Sequence, residues 1–484
     1  MSRYLSWLAM SLVLYLVIFS LNYNVLGYLS SHDEKRLLEL LLISLALLWL
    51  IMTSLEAKDC LPIWKTRYHL TLTLVIILAI ISALLSASPS HALLEISVFV
   101  GLFYLSLFMA ALWRQYSLLL VHVWVYALFL GALFYMVAFY TGYIASFITA
   151  MPLHWPEPFF GFSNVRFFNQ YQLWTLALLC LPSLSFTVRH PLVRRSLSVI
   201  FSAWWLLLFA SASRGVLLAW LCAVILTGIG YRQLAWPLLK RQFMGFSVGL
   251  LAYCLLFKAL PLLLKGGLIT STVFRNSTYD RLDLWQQALT MIQNHPWFGV
   301  GPMHYAYYPN TIAAHPHNSI LQLAAEWGLL ATGLLLLVAT QGLFCWLQRF
   351  TIKTLQTSEH QHLVIVLFFT LIACASYSLV DGVLVMPLSQ VMMALVIGLM
   401  IGLYYDQSDK NLRKPHISQQ VFAAITLITM LWSAWPELLP RLLDNQTQIP
   451  RGYQTIGPRF WQEGGIRHEF TTRKMGRGDS RNPS

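Results

Sequence analysis

Charged residues are scarce in this chain. They make up 11% of its 484 residues, whereas soluble domains carry about 25%. Hydrophobic residues make up 57%, and a water-soluble core of this size could not bury so much apolar surface. The composition therefore excludes a soluble protein and predicts an integral membrane protein.

Cysteine pairs with the spacing of a metal or redox site are absent as well. Five of the six cysteines lie in apolar runs, where cysteine behaves as a small hydrophobic residue. The chain also lacks an Asp-x-Asp motif of the kind that holds a metal ion in enzymes acting on nucleotide sugars. We therefore expect no metal site and no cofactor.

Positive charge is in excess, with a net charge of +13, which raises the question of nucleic-acid binding. The lysines and arginines lie in short connections between apolar runs, where such residues set the orientation of a membrane protein. We expect contacts with membrane lipids and no nucleic-acid partner.

The apolar runs predict the fold class. A transmembrane helix needs ~20 predominantly apolar residues. About thirteen such runs are centred near Leu14, Leu45, Ile77, Phe103, Leu130, Leu178, Leu206, Val224, Leu251, Leu335, Phe369, Ala394 and Leu427. The sequence predicts an all-α, polytopic membrane domain over residues 1–440, with about 12–13 transmembrane helices.

The distribution of lysine and arginine predicts the orientation. The connections after every second run carry fifteen of these residues, and the short connections between them carry three. The first set and the N-terminus are therefore expected in the cytoplasm. Two long loops, 141–170 and 265–317, and a basic tail, 441–484, are expected on the far side of the membrane. The tail is rich in arginine without apolar periodicity, so we expect it to be partly disordered.

The unusual polar residues gather on this far side of the membrane. They are Arg166, Asn169, Gln170, Arg214, Arg281, His315, His317, Asn318 and Asp381. Ionisable residues at a membrane are costly, so they are candidates for function. The three arginines would form one anion-binding site if they share a face.

A short amphipathic helix is expected within the second loop. Asp280 would cap its N-terminus, and Asn294 would mark its end. Its apolar residues Leu282, Trp285, Leu289 and Ile292 recur at helical spacing. At about 14 residues it is too short to span, so we expect it to lie along the membrane surface. Arg281 would then lie at the level of lipid phosphates, where it either binds a substrate or only contacts headgroups.

His317 precedes Asn318, a favourable cap for the next helix. A helix N-terminus disfavours a nearby positive charge, so we expect His317 to stay neutral and to be able to accept a proton. The alternative is an ordinary loop histidine. A metal site formed by His315 and His317 lacks a third ligand nearby in the sequence.

Four motifs carry a resemblance. "RFFNQYQ" (166–172), "SASRG" (211–215), "RLDLWQQALTMIQNHPWFGVG" (281–301) and "HNSILQLAAEWGLLATG" (317–333) occur in this order. Together they resemble the bacterial inner-membrane superfamily of O-antigen ligases, O-antigen polymerases and protein O-oligosaccharyltransferases. Residues 166–172, "HPHN", "EWG" and "DGVLVMPLSQ" most resemble pilin-type O-oligosaccharyltransferases.

The resemblance implies an enzyme that transfers a glycan from undecaprenyl diphosphate on the periplasmic side. Arg214 and Arg281 would bind the diphosphate, and His317 would assist the acceptor hydroxyl, with Gly328 completing a histidine–glycine signature. Arg166, Asn169, Gln170, His315, Asn318 and Asp381 would line the substrate. We expect a metal-independent, inverting transferase.

The acceptor stays open between three hydroxyl sources. These are Ser or Thr of pilin or another exported protein, a sugar of lipid A-core in lipopolysaccharide biosynthesis, and the end of a growing O-antigen. The ligase pattern of leucine four residues after the arginine is not met, because Trp285 occupies that place. A transporter of lipid-linked glycans is a further alternative, but its polar residues would lie at mid-membrane on broken helices.

Overall fold

The structure, a computed structural model, describes most of the chain. The described residues are 2–18, 26–27, 29–53, 61–62, 66–149, 151, 159–184, 191–264, 277–308, 310, 312–405, 412–413, 415–443, 457–462 and 464. Residues 265–276 of the second predicted loop and most of the basic tail lie outside this set. The prediction that the tail is partly disordered therefore stays a prediction.

The described residues fold into helices joined by short connections. The helices are α1 (Ser2–Ile18), α2 (Ser31–Thr53), α3 (Thr66–Leu85), α4 (Pro89–Tyr116), α5 (Leu118–Ile148), α6 (Val165–Leu176), α7 (Leu181–Leu184), α8 (Pro191–Ala210), α9 (Arg214–Tyr231), α10 (Trp236–Cys254), α11 (Leu260–Leu264), α12 (Ser277–Asn294), α13 (Ser319–Arg349), α14 (Ile352–Gln356), α15 (Gln361–Tyr377), α16 (Pro387–Tyr404) and α17 (Ile417–Leu443). Two two-residue strands, β1 (Leu61–Pro62) and β2 (Leu412–Arg413), are also present, together with three short 3₁₀ helices (Leu178–Cys180, Arg232–Ala235 and His304–Tyr307) and one π-helix (Leu255–Ala259). The all-α class is confirmed.

The helices are those of a multi-pass membrane protein. By length and composition, 8 helical stretches of the described chain can cross a membrane, and one of them, of 51 residues, runs from α9 through α11. All thirteen predicted runs have their centres in helical segments. Four of those segments fall outside the 8. Both α1 and α15 have 17 residues, α2 begins with charged residues, and α6 to α7 is interrupted by a 3₁₀ turn.

Helix α4 is the centre of the bundle and packs against α2, α16 and α17. It approaches α16 closely because glycine stands at the contact. A Cβ added at Gly398 would lie 2.6 Å from the carbonyl oxygen of Ser106, and one at Gly402 would lie 2.8 Å from the Trp113 Cβ. Small residues at such contacts permit close packing of membrane helices.

The two ends of the bundle differ. Leu61 of β1 pairs with Arg413 of β2, which joins two of the connections that are rich in lysine and arginine. The opposite end, which we call the loop end, is where α2, α4, α9, α13 and α16 begin. The predicted site residues all belong to segments at the loop end.

Helix α13 breaks at Gly328, which has a φ of 81° and a ψ of 165°. The segment 296–301 takes over the hydrogen bonds that the break releases. The carbonyl oxygens of Ala325 and Glu326 accept from Val300 N at 2.9 Å and Gly301 N at 3.0 Å, and Leu329 N donates to the Pro296 carbonyl oxygen at 2.8 Å. The "HPWFGVG" and "EWG" motifs are therefore two halves of one backbone junction.

Helix α12 has a second apolar face that the sequence analysis missed. Leu284, Ala288 and Met291 are buried against Tyr305 and neighbouring residues. Leu282 and Leu289, from the predicted stripe, are 52% and 42% exposed. Contact of that stripe with the membrane stays a prediction.

The predicted N-terminus of this helix was wrong. Helix α12 begins at Ser277, so Asp280 lies inside its first turn and not at the position before the helix. The helix has 18 residues and ends at Asn294, where the sequence analysis expected the end.

Residues 457–462 of the tail insert into the loop end of the bundle, and composition did not predict this. The guanidinium of Arg459 is buried between two carboxylates. Its Nη2 donates to both oxygens of Glu95 at 2.9 and 2.8 Å, and to both oxygens of Glu326 at 2.9 and 2.7 Å. One tail residue thus joins α4 to α13.

A second buried arginine, Arg36 of α2, holds the same segment. Its Nε donates to the Phe460 carbonyl oxygen at 3.1 Å, and its guanidinium carbon lies 4.6 Å from the centre of the Phe460 ring. On its other side, Arg36 donates to the Val385 carbonyl oxygen and to Gln390 Oε1, each at 2.7 Å. Arg36 therefore ties α2 to the tail segment and to the connection before α16.

Gly328→Ala should destabilise the protein. A Cβ at this position would lie 2.2 Å from the Trp297 carbonyl oxygen, in a backbone conformation that L-residues rarely adopt. We expect a loss of at least about 2 kcal/mol of stability, measured by thermal unfolding in detergent. Gly333→Ala in the same helix is the control, since nothing lies within 4 Å of its added Cβ. Equal losses in the two variants would contradict the role given to Gly328.

Candidate active site

The loop 312–318 presents two histidines at the loop end. Asn310 holds the start of the loop, where its Oδ1 accepts from Ile312 N and Ala313 N, each at 3.0 Å. Asn318 closes the loop as the predicted N-cap, since its Oδ1 accepts from Ile320 N at 3.1 Å and Leu321 N at 3.0 Å. The predicted cap is confirmed.

His317 has a left-handed backbone conformation, with a φ of 52°. A residue other than glycine is uncommon there, and such conformations cluster at functional sites. The Nδ1 atom of His317 is buried and lies 3.7 Å from Oδ1 of Asp381. The side chain as a whole is 24% exposed. The ring thus turns Nδ1 toward the carboxylate and leaves Nε2 as the nitrogen on the open side.

Asp381 is buried and held by three donors. Gln170 Nε2 and the backbone N–H of Gly382 donate to Oδ1 at 3.0 and 2.7 Å, and the Tyr377 hydroxyl donates to Oδ2 at 2.7 Å. Burial favours the protonated carboxyl, but the interactions with His317, Tyr377 and Gly382 outweigh it. They hold the pKa of Asp381 well below its usual range. The carboxylate is therefore ionised beside His317 at neutral pH.

His315 lies behind His317, with the two ring centres 4.2 Å apart. It is 2% exposed, and among the described residues neither of its ring nitrogens has a hydrogen-bond partner. Burial, and then the proximity of His317, keep the pKa of His315 well below its usual range, so the ring is neutral. A Cβ at Gly382 would lie 2.3 Å from His315 Nε2, so glycine at 382 leaves room for the ring.

The "RFFNQYQ" segment forms helix α6 and faces the "SASRG" turn. Asn169 Nδ2 donates to Ser211 Oγ at 2.7 Å, and Arg166 Nη1 reaches the Ser211 carbonyl oxygen at 3.5 Å. Gln170, one residue further, holds Asp381. Helix α6 thus connects the arginine-bearing turn with the histidine–aspartate pair.

Arg214 is the first residue of α9 and is exposed at the loop end. Glycine at the next position, 215, permits a close approach to Tyr377, because a Cβ there would lie 3.0 Å from the ring. Among the described residues the Arg214 side chain has no hydrogen-bond or ion-pair partner. Its guanidinium is free to bind an anion.

Arg281 lies one turn before Trp285 on α12, and Trp285 touches the histidine loop. The indole N–H of Trp285 donates to the Pro316 carbonyl oxygen at 3.0 Å. Residues four apart share a helix face, so Arg281 lies on the side of α12 that meets this loop. In the described part of the chain, Arg281 forms no hydrogen bond and no ion pair.

The structure brings the predicted residues together in two groups. His315, His317, Asp381 and Gln170 form one contact group, and Arg166, Asn169 and the turn before Arg214 form the other. Arg281 is linked to the first group through Trp285. Sequence reasoning missed Tyr377, although its spacing of four residues from Asp381 was a usable signal.

His315, His317 and Asp381 each offer a metal-ligand atom, and these three atoms lie within 4.8 Å of one another. Sequence reasoning had found no third ligand for the two histidines. Asp381 is 64 residues further along the chain, and the fold places it beside them.

Residues 197–338 match the model of a protein family described as O-antigen ligase. This stretch contains the "SASRG" turn, α12 and the histidine loop. The match supports a place for the chain in the O-antigen ligase and polymerase superfamily and supports glycosyl transfer as its activity. No curated protein and no solved structure matches the chain.

The strained backbone of His317 predicts a difference between two variants. His317→Gly relieves the left-handed conformation, and His317→Ala keeps it, so the glycine variant should be more stable than the alanine variant by about 1 kcal/mol. Thermal unfolding of the two purified variants measures the difference. An alanine variant as stable as the glycine variant would show that this loop carries no such strain.

Proposed function

We propose that this protein is a glycosyltransferase of a bacterial inner membrane that transfers a glycan from undecaprenyl diphosphate to an acceptor hydroxyl on the periplasmic side. The observation that carries the proposal is the His317–Asp381 pair at the loop end of the bundle. The match of residues 197–338 to the O-antigen ligase family supports the same chemistry.

In the proposed reaction, His317 is the general base. Its Nδ1–H faces the Asp381 carboxylate, so Nε2 carries the lone pair that accepts the proton of the acceptor hydroxyl. The hydroxyl oxygen attacks the anomeric carbon as the bond to the diphosphate breaks. The electron pair leaves with undecaprenyl diphosphate, and the anomeric carbon is inverted. Asp381 stabilises the imidazolium that forms.

Arg214 and Arg281 bind the diphosphate in this proposal. Their guanidinium groups have no partner among the described residues, and a planar guanidinium donates two parallel hydrogen bonds to a phosphate. The charge that develops on the leaving group is thus stabilised by arginine, and no metal ion is needed. Arg166 and Asn318 line the substrate in this proposal, whereas Asn169, Gln170 and His315 are buried beside them.

The acceptor in this proposal is a Ser or Thr hydroxyl of pilin or another exported protein. This part rests on the resemblance of residues 166–172 and of the "HPHN", "EWG" and "DGVLVMPLSQ" motifs to pilin-type O-oligosaccharyltransferases. A lipid A-core acceptor is the second candidate, because the matching family is described as O-antigen ligase. A growing O-antigen chain is the third.

An acceptor assay in a strain lacking the gene tests the proposal. Intact pilin mass and lipopolysaccharide banding are recorded together after wild-type protein, His317→Ala or Asp381→Asn is supplied. A glycan-sized mass gain on pilin should appear with wild type and be lost with His317→Ala. Asp381→Asn should slow transfer by about 10²- to 10⁴-fold.

Each other outcome of this assay has a meaning. Restored long lipopolysaccharide bands with unchanged pilin would identify a ligase or a polymerase, and the distribution of band lengths separates those two. Full transfer by His317→Ala at equal expression would remove His317 from the mechanism. If neither readout changes with wild type, the transferase proposal fails.

Arg281→Lys and Arg214→Lys test the diphosphate assignment. Lysine keeps the charge but cannot donate the planar pair of hydrogen bonds, so transfer should fall at least tenfold in each variant. The matched control is Arg195→Lys, because Arg195 is exposed on the first turns of α8, away from the loop end. Wild-type transfer by an Arg281→Lys protein would assign Arg281 to the lipid headgroups instead.

A further inference from the structure

His315 presents an energetic problem that the proposed reaction does not solve. It is 2% exposed, and within the described residues neither Nδ1 nor Nε2 has a partner. A buried polar group without a hydrogen bond costs about 1–3 kcal/mol. Such a group usually has a partner other than protein, and a neutral imidazole suits water or a metal ion.

The surroundings of His315 favour a metal ion. His317 and Asp381 lie beside it, and the three residues offer ligand atoms within 4.8 Å of one another. The carboxylate is already fixed in orientation by Gln170, Tyr377 and Gly382, as the outer contacts of metal ligands commonly are. We propose that His315, His317 and Asp381 bind a divalent transition-metal ion of the zinc type, and that the bound ion inhibits transfer.

The donor atoms select the ion. Two imidazole nitrogens and one carboxylate oxygen suit Zn²⁺, whereas Mg²⁺ and Ca²⁺ prefer oxygen ligands alone. Ligand atoms that share a tetrahedral zinc lie about 3.3 Å apart. His317 Nδ1 and Asp381 Oδ1 are 3.7 Å apart, and all three ligand atoms lie within 4.8 Å of one another, so the ligand atoms need to approach one another by up to about 1.5 Å to share an ion.

Inhibition follows from the chemistry of the imidazole ring, and this step rests on the proposed role of His317. A neutral imidazole carries one proton on its two nitrogens. When zinc binds the lone pair of Nδ1, the single ring proton, which otherwise faces Asp381 on Nδ1, occupies Nε2 instead. The nitrogen on the open side therefore has no lone pair with which to accept the proton of the acceptor hydroxyl. The ion also binds the Asp381 carboxylate, which then no longer stabilises the His317 imidazolium.

Zinc binding is measured first and without any transfer reaction. Purified full-length protein in detergent, stripped with a chelator, is titrated with Zn²⁺ in competition with a chromogenic zinc indicator. We expect one equivalent of Zn²⁺ per chain, with affinity at least tenfold weaker in His315→Gln and in Asp381→Asn. His295→Gln is the matched control, because His295 is an exposed histidine at the loop end outside the cluster. No saturable binding, or equal affinity in all variants, would overturn the site.

Inhibition is then measured as the transfer rate with Zn²⁺ divided by the rate of the same variant without it. We expect a ratio of about 0.1 or less for wild type and for His295→Gln. For His315→Gln, whose activity without Zn²⁺ is already reduced, we expect a ratio near one. Zinc bound at the site with an unchanged transfer ratio would overturn the inhibition. Because the titration needs no activity, an inactive wild-type protein would refute the transferase proposal and leave the metal site measurable.

Discussion

Two buried arginines hold the loop end of this protein together. Arg459 binds Glu95 of α4 and Glu326 of α13, and Arg36 of α2 binds the carbonyl oxygens of Phe460 and Val385. A charge removed from water is costly unless opposite charge and hydrogen bonds surround it, and breaking a buried pair costs about 3–5 kcal/mol. The helices that carry the site are therefore fixed by ion pairs as well as by apolar packing.

This arrangement explains how a loop can carry an ordered site. His317 stands at the start of α13, which Arg459 fixes through Glu326. Asp381 belongs to the connection that Arg36 fixes through Val385. The two members of the pair come from segments 64 residues apart, and each is anchored to one of two neighbouring arginines. Because each arginine bonds to two segments at once, it restricts the movement of those segments relative to each other.

Much of the fold could be predicted from the sequence, because apolar runs of fixed length are a direct requirement of the membrane. The thirteen predicted runs all lie in helices, and the cap at Asn318 was legible from local chemistry. The sequence also pointed to the histidine loop and the "SASRG" turn as parts of the candidate site. Local sequence patterns cannot predict a contact between segments that are far apart in the chain. The pairing of Asp381 with His317 and the insertion of Arg459 are of this kind.

Composition did not reveal the role of Arg459. A stretch rich in arginine and glycine suggests a solvated chain, and no local pattern marks the one arginine that lies between two buried carboxylates. Gly328 of the "EWG" motif also serves a backbone junction, which its local sequence did not predict. Composition averages over many residues. It therefore cannot identify a single residue whose role depends on a contact with a distant segment.

The place of Arg459 in the chain has a consequence for biogenesis. Glu95 and Glu326 belong to α4 and α13, but the guanidinium that neutralises them follows α17. Every helix of the bundle is therefore synthesised before the ion pair that locks its loop end can form. During that interval two carboxylates stand without their cation at the start of membrane helices. Insertion of residues 457–462 therefore follows the synthesis of every described helix from α1 to α17.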